Sequence, residues 1–187
     1  MFRRWVAVSL VALTTGCGYN SIQTLDERAQ AYQGQIEVTM QRRADLIPNL
    51  VQTVKGYAQH EEQVLTNVSQ ARAGLVSAIQ SKDAEQMANA NAQVTSSLSR
   101  LFAVVEAYPK LQADKGFRAL QDELVGTENR VAVARSDYNG AVNEYNAYIR
   151  RFPAVITAKV TGAKARKYFT AAASATEVPK VDFTKKP

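Results

Sequence analysis

Apolar side chains recur every three or four residues along almost the whole chain, and this spacing constrains the fold more than any other feature. The clearest stripe holds for about ten helical turns, through Phe117, Leu120, Leu124, Val131, Tyr138, Val142, Tyr145, Ile149 and Phe152. No stretch alternates apolar and polar residues as a half-buried strand does. Glycine and proline number only 9 and 5 in 187 residues, which also favours helix over strand. The sequence therefore predicts an all-α chain.

Interruptions of this spacing divide the first half of the chain. Apolar residues keep the helical stride from Ile22 to Ile79. Pro48 either kinks one long helix or begins a new one at its first turn. Gly56 and residues 59–62 offer a second possible bend. The sequence alone does not decide between these two positions.

The second half has clearer boundaries. A break at residues 81–83 precedes the third stretch, and either Ser81 or Asp83 is a suitable cap for it. That stretch stops before Pro109, and Pro153 ends the fourth and opens a short helix that closes at Gly162.

Long helices with short connections predict an antiparallel, up-and-down four-helix bundle. We place this bundle at residues 22–162 as one domain. A signal or anchor segment precedes this range, the short helix closes it at Gly162, and an extended tail follows at residues 163–187.

The first residues have the layout of a bacterial signal peptide. Two arginines precede an apolar run, Trp5–Leu13, and small residues join that run to Cys17. The run is about half as long as a helix that crosses a bilayer. Its end resembles a lipobox, except that Thr14 stands where leucine is usual. The sequence predicts a signal peptide over residues 1–16, lipidation of Cys17 and a short juxtamembrane linker over residues 17–21.

Cys17 is also the only cysteine, so it has no partner for an intrachain disulfide. Lipidation would hold the chain in an envelope membrane with the helical body outside the cytoplasm. The alternative is an uncleaved, single-pass N-terminal membrane anchor. Gly18 follows the cysteine in place of the aspartate that retains many lipoproteins in an inner membrane, which leaves an outer membrane open.

Several kinds of chemistry are excluded by residue counts. His60 and Glu61 begin a zinc-protease motif, but His60 is the only histidine, so we expect no metal site of that type. No glycine-rich phosphate loop and no nucleophile elbow is present, and we expect no cofactor and no enzymatic activity. The formal charge is +6, two of which belong to the leader arginines. The remaining +4 is mild, and basic and acidic residues are mixed through most of the chain, so we expect no nucleic-acid partner.

Four charged residues lie in line with apolar stripes. Glu61 and Arg72 extend the stripe of the second stretch, and Glu128 and Arg135 extend that of the fourth. Because an isolated buried ion costs several kcal/mol, we predict that these four form ion pairs between the two helices. Such a cluster would fix the helix register, and the alternative is a binding or catalytic role.

Two further segments are candidates for contacts. Arg42, Arg43, Asp45 and Pro48 form either a polar-flanked helix kink or a docking surface for a protein partner. The segment from Lys159 to Phe169 contains Lys159, Lys164, Arg166, Lys167, Tyr168 and Phe169. It either settles on anionic headgroups or packs its aromatic side chains on the body.

With these segments placed, the sequence resembles the LemA family. The matching stretches are RRADLIPNLVQTVKGYAQHE at 42–61, TENRVAVARSDYNGAVNEYNAYIRRFP at 127–153, YP at 108–109 and PKVDF at 179–183. Tyr32 stands where the family commonly has tryptophan, and Ala163 where it has phenylalanine. The resemblance implies a small membrane-attached four-helix bundle with no established catalytic activity. A magnetosome-associated branch of the family takes part in membrane remodelling.

These observations lead to three hypotheses. The first is a membrane-anchored scaffold that binds a protein partner or a membrane surface. The second is a membrane-remodelling or envelope-organising protein that acts by self-association, with homo-oligomers possible. The third, which the residue counts disfavour, is an enzyme or a small-ligand carrier.

Overall fold

The computed structural model describes the backbone of residues 2–58 and 60–170 and the side chains of residues 18–58 and 60–170. Six α-helices and no strand are found in this part of the chain, which confirms the all-α prediction. The helices are α1 (Phe2–Tyr57), α2 (Glu62–Ser81), α3 (Ala84–Val105), α4 (Pro109–Gln112), α5 (Lys115–Tyr148) and α6 (Ala154–Thr161).

Helix α1 is a single helix of 56 residues that continues through Pro48. The boundary between the first two expected stretches therefore lies between Tyr57 and Glu62, at the second of the two bends considered above. Residues 17–21, expected to form a linker, are also part of α1. In the described part of the chain, no helix contains a stretch that is long and apolar enough to cross a bilayer.

A side chain from α2 explains how α1 tolerates a proline in its interior. Pro48 has no N–H, so the carbonyl of Ala44, four residues earlier, loses its helical donor. The Arg72 Nε donates to this carbonyl oxygen at 2.8 Å. Ala44 is fully buried, so water could not serve as well. Arg72 thus contacts the α1 backbone and is not paired with an acid of the predicted cluster.

The turn between α2 and α3 follows the predicted break. Lys82 has φ 55°, the left-handed conformation that ends many helices. Asp83 is the cap of α3, because its Oδ1 accepts from the backbone N–H groups of Glu85 and Gln86, both at 3.0 Å. These amide donors, first that of Gln86, and the ammonium of Lys167 lower the pKa of Asp83. The Ser81 hydroxyl instead donates to the Ala78 carbonyl at 2.7 Å.

The remaining boundaries are also local. Asp114 caps α5 by accepting from the Phe117 N–H at 2.8 Å. Helix α6 ends at Gly162, which has φ 72°, and this is the end that the sequence predicted. The Ala163 N–H donates back to the Ala158 carbonyl at 2.9 Å.

Helix α1 contacts all five other helices, and α2 also packs on α3. Helices α1 and α5 are antiparallel, because Arg28 pairs with Glu144 near one end and Tyr57 donates to Asp114 at the other. The main core runs between the long helices. A smaller apolar cluster closes the end near residue 18 and consists of Ile22, Tyr145, Ile149 and Ala158.

The contact between Arg72 and Ala44 can be tested by a double-mutant cycle with Pro48. Replacing Arg72 with Met should lower the free energy of unfolding by about 1–3 kcal/mol, because the buried Ala44 carbonyl loses its partner. In a Pro48→Ala background the same replacement should cost much less, since the alanine N–H restores the helical hydrogen bond. Urea unfolding followed by circular dichroism measures all four variants. Equal costs in both backgrounds would mean that Arg72 does not compensate for Pro48.

Candidate functional site

The four charged residues predicted to form one cluster have four separate environments. The Tyr108 hydroxyl donates to Glu61 at 2.9 Å, and the Arg135 guanidinium lies 5.1 Å from the centre of the Phe169 ring. Only Glu128 joins an ion pair within the described side chains, and its partner is Arg43. The predicted pairing therefore needs correction. The four residues do not pair with one another because α2 packs on α1 and α3, whereas α5 packs on α1. Each charged side chain therefore contacts a segment that lies closer to it than the other residues of the predicted cluster.

Among the described side chains, Arg43 is the buried charged residue and is 3% exposed. It therefore cannot contact a docking partner, and the predicted docking segment of four residues is corrected at this position. Arg42 and Asp45 are exposed and Pro48 is half-buried. The Gln41 amide donates to Asp45 at 2.8 Å. Any partner that binds this segment would therefore contact Arg42 and Asp45.

Arg43 connects three helices. Its guanidinium pairs with Glu128 on α5 and donates to Asn91 at 2.6 Å and to Thr95 at 3.1 Å, both on α3. Asn91 in turn lies 3.4 Å from Glu128. Burial lowers the pKa of Arg43, and the nearby Glu128 carboxylate acts in the opposite direction. Because Arg keeps its charge in proteins, Glu128 is needed as a counter-ion.

The Nε atom of Arg43 is buried and has no hydrogen-bond partner among the described atoms. The residue lines a cleft of about 220 Å³ together with Glu128 and mostly apolar side chains. The guanidinium and the carboxylate neutralise each other. The Glu128 carboxylate is therefore not free to act as a base, and the Arg43 guanidinium is not free to bind an anion. Its position, shared by α1, α3 and α5, suits the fixing of helix register.

Among the described residues, no group of three or more His, Cys, Asp or Glu side chains is placed so that it could hold a metal ion. A cleft of about 480 Å³ lies between α1 and α5, and its lining includes Tyr32, Asn129, Val133 and Asp137.

The tail at residues 163–170 lies along α5 and is held through its backbone. The Asn146 side chain both donates to the Arg166 carbonyl and accepts from the Arg166 N–H, each at 2.9 Å. Asn139 holds Phe169 in the same way, at 3.0 and 2.8 Å. We call these two residues the asparagine clamp. Seven helical residues span about 10.5 Å, which matches three residues of extended chain at about 10 Å.

Side chains of the tail also contact the body. Arg166 forms two hydrogen bonds with Asp26 at 2.7 and 2.8 Å, and they raise its pKa. Lys167 pairs with Asp83 at 3.2 Å. Phe169 is 1% exposed beneath Arg135. Of the two alternatives for this segment, the structure supports packing on the body for residues 166–169.

Sequence reasoning missed the asparagine clamp, although a signal was present. Asn139, Asn143 and Asn146 repeat at helical spacing on one side of α5. Asparagine is a poor helix former because its side chain competes with the backbone for hydrogen bonds. Three of them on one face therefore indicate a surface that binds polar groups, and two of them, Asn139 and Asn146, bind the tail backbone.

Comparison with known proteins decides the family. The model of the LemA family matches residues 32–183, which is most of the chain. The chain belongs to the LemA family. This confirms the resemblance inferred from the sequence motifs.

Among curated proteins, the chain is 31% identical to magnetosome proteins MamQ 1 and MamQ 2 of Paramagnetospirillum magneticum, over 81% of this chain. It is 30% identical to magnetosome protein MamQ of Magnetospirillum gryphiswaldense, over 87% of this chain. The chain spans 64% of the length of the first two relatives and 69% of the third. The range matched to the LemA family includes Arg43, Glu128, the asparagine clamp and the tail that it holds.

Removing Glu128 should destabilise this LemA-family chain far more than removing a surface acid. Glu128→Ala leaves Arg43 buried without a counter-ion and should cost about 2 kcal/mol or more, although water reaches the half-buried carboxylate. Glu123, which pairs with Arg42 and Arg130 at the surface, is the matched control, and Glu123→Ala should cost less than about 1 kcal/mol. Adding Arg43→Met to Glu128→Ala should recover most of the loss. Chemical unfolding measures each variant, and a Glu128→Ala cost equal to that of Glu123→Ala would contradict the network.

The asparagine clamp predicts a local effect on the tail. Asn146→Ala removes two hydrogen bonds to Arg166, each contributing about 1 kcal/mol. Hydrogen exchange of the Arg166 amide, which donates to Asn146, should therefore speed up roughly tenfold or more, with little change in α2 and α3. Asn139→Ala should act in the same way around Phe169. Asn143, which only accepts from the Tyr168 hydroxyl at 3.4 Å, is the control, and equal exchange in all three variants would exclude the clamp.

Proposed function

We propose that this LemA-family protein is a membrane-anchored helical scaffold. In this proposal residues 1–16 are a signal peptide, Cys17 carries the lipid, and the folded body stands outside the cytoplasm. The body acts by binding a protein partner or a membrane surface and catalyses no reaction. The alternative attachment, an uncleaved N-terminal segment, places the body at the same membrane.

One observation supports this proposal above others: no spacer separates the anchor position from the folded body. Gly18 is buried, and a Cβ added there would lie 3.3 Å from the Thr157 Oγ1 and 3.6 Å from the Ala154 Cα of α6. The residue after Cys17 is therefore already part of the packed body. An anchor at this position holds the body directly on the bilayer.

The body itself we propose to be an up-and-down four-helix bundle made of α1, α2, α3 and α5. The supporting contacts are those of α1 with α5, of α1 with α2, and of α2 with α3. A bundle of this kind presents long, rigid helix surfaces, which suits a scaffold better than an enzyme.

A second candidate function is organisation or bending of the membrane by self-association. The observation in its favour is that the curated relatives described above are named magnetosome proteins. Vesicles that carry the full chain distinguish the two candidates by electron microscopy. Tubules or clustered vesicles favour this second function, and unchanged spherical vesicles favour the scaffold.

The attachment itself is tested at Cys17 in bacterial cells that lipidate exported proteins. The wild-type chain should incorporate labelled fatty acid and sediment with membranes. Cys17→Ala should lose the label and run at the larger mass of the uncleaved chain, because the lipobox peptidase needs the acylated cysteine. Thr14→Leu, which completes the usual lipobox, should keep or increase the label. A wild-type chain that neither takes up fatty acid nor sediments with membranes would contradict the proposal.

A further inference from the structure

Helix α6 buries its small side chains and exposes its large ones. Ala154, Thr157 and Ala158 are buried toward α1, whereas Ile156 is 48% and Val160 83% exposed. Burial of a large apolar side chain stabilises a fold more than burial of alanine. A helix that served only to pack on the body would therefore show the opposite arrangement.

Ile156 and Val160 are four residues apart within α6 and therefore share a side of that helix. Phe152 lies two residues before α6 and is 81% exposed. We call these three residues the α6 face. No described element covers them, and adjacent exposed apolar side chains mark contact sites for partners or membranes.

The charge around the α6 face is one-sided. Residues 150–167 contain six of the 23 Lys and Arg residues and none of the 17 Asp and Glu residues. The rest of the chain has 17 of each sign, so the whole formal excess of +6 belongs to this one segment. A basic segment beside apolar side chains complements an anionic lipid surface.

Two of these six cations are engaged within the body, where Arg166 pairs with Asp26 and Lys167 with Asp83. The other four are exposed and join no ion pair among the described side chains: Arg150, Arg151, Lys159 and Lys164. In sequence, Arg150 and Arg151 precede the α6 face, Lys159 lies within it and Lys164 follows it. The Arg150 Nε donates to the Asn146 carbonyl at 2.9 Å, and its two terminal nitrogens, like the other three cations, are available to phosphate groups outside the protein.

The α6 face also lies at the anchored end of the body. Helix α6 packs against Gly18, one residue from Cys17, and the small apolar cluster of this end joins Ile22 to Ala158. An anchor at Cys17 thus brings the α6 face within reach of the bilayer surface.

We infer that the α6 face inserts into the headgroup region of an anionic bilayer, while Arg150, Arg151, Lys159 and Lys164 contact lipid phosphates. This inference rests on the proposed membrane anchoring. It adds a second, non-covalent contact that sets the orientation of the body on the membrane. A tether alone would leave that orientation free.

Tryptophan fluorescence in the membrane-anchored chain tests this contact. Trp5 is the only tryptophan and lies in the proposed signal peptide, so Trp5→Phe gives a background in which Phe152→Trp or Val160→Trp is the only reporter, whether residues 1–16 are removed or retained. Val38→Trp is the matched control, because Val38 is 72% exposed but lies about 30 Å along α1 from Gly18. Each variant is reconstituted in vesicles of phosphatidylcholine with phosphatidylglycerol, with and without brominated acyl chains.

We expect blue-shifted emission and at least twofold quenching by brominated lipid at positions 152 and 160, and neither effect at position 38. Replacing Lys159 and Lys164 with Glu should abolish the quenching at position 160 in chains that still sediment with the vesicles. Sedimentation with no quenching at 152 and 160 would overturn the inference and leave the anchoring intact. A blue shift that depends on protein concentration without vesicles would assign the face to a second copy and overturn it as well. Failure to sediment with vesicles would contradict both the anchoring and the inference.

Discussion

The fold depends on α1 remaining one helix through Pro48, because all the other helices contact α1. Proline in a helix interior usually kinks or breaks the helix, at a cost of about 3 kcal/mol. Here the freed carbonyl of Ala44 accepts a hydrogen bond from Arg72 of α2. The neighbouring helix thus supplies the hydrogen bond that Pro48 removes from α1. The contact also fixes the position of α2 along α1. A local defect in one helix thereby becomes a specific contact between two.

The buried Arg43 has a similar effect on the other side of α1. It binds α3 through Asn91 and Thr95 and α5 through Glu128. Leu or Met at this position would fill the space without choosing among helix registers. A guanidinium that must meet a carboxylate and an amide accepts only a register that provides both. Arg72 and Arg43 together thus link α2, α3 and α5 to α1 through contacts that suit the fixing of helix register.

Local features of this fold were predictable from the sequence, and contacts between helices were not. The cap of α3 and the end of α6 at Gly162 depend on residues within one turn of each other, so the sequence pattern found the end of α6 and limited the cap to Ser81 or Asp83, of which the structure shows Asp83. The partners of Glu61, Arg72, Glu128 and Arg135 depend on which helices are neighbours, which a stripe on one helix does not reveal. Arg43 could have been recognised as buried, since it follows Met40 by three residues and precedes Ile47 by four on the apolar face. The α6 face was not predicted. The basic residues beside it are visible in the sequence, but Phe152 was counted in the apolar stripe of the fourth helix, whereas α5 ends at Tyr148 and Phe152 is exposed.

The absence of a spacer between Cys17 and the body has a mechanical consequence. A flexible linker between a lipid anchor and a folded domain would leave the orientation of the domain independent of the bilayer. Under the proposed anchoring at Cys17, Gly18 packs against α6, so a tilt of the first turns of α1 would tilt the whole body. The 40 residues from Gly18 to Tyr57 extend about 60 Å, and over that length a tilt of a few degrees would move the far end by several ångströms. A body mounted in this way would convert local membrane curvature into a displacement at its distal tip.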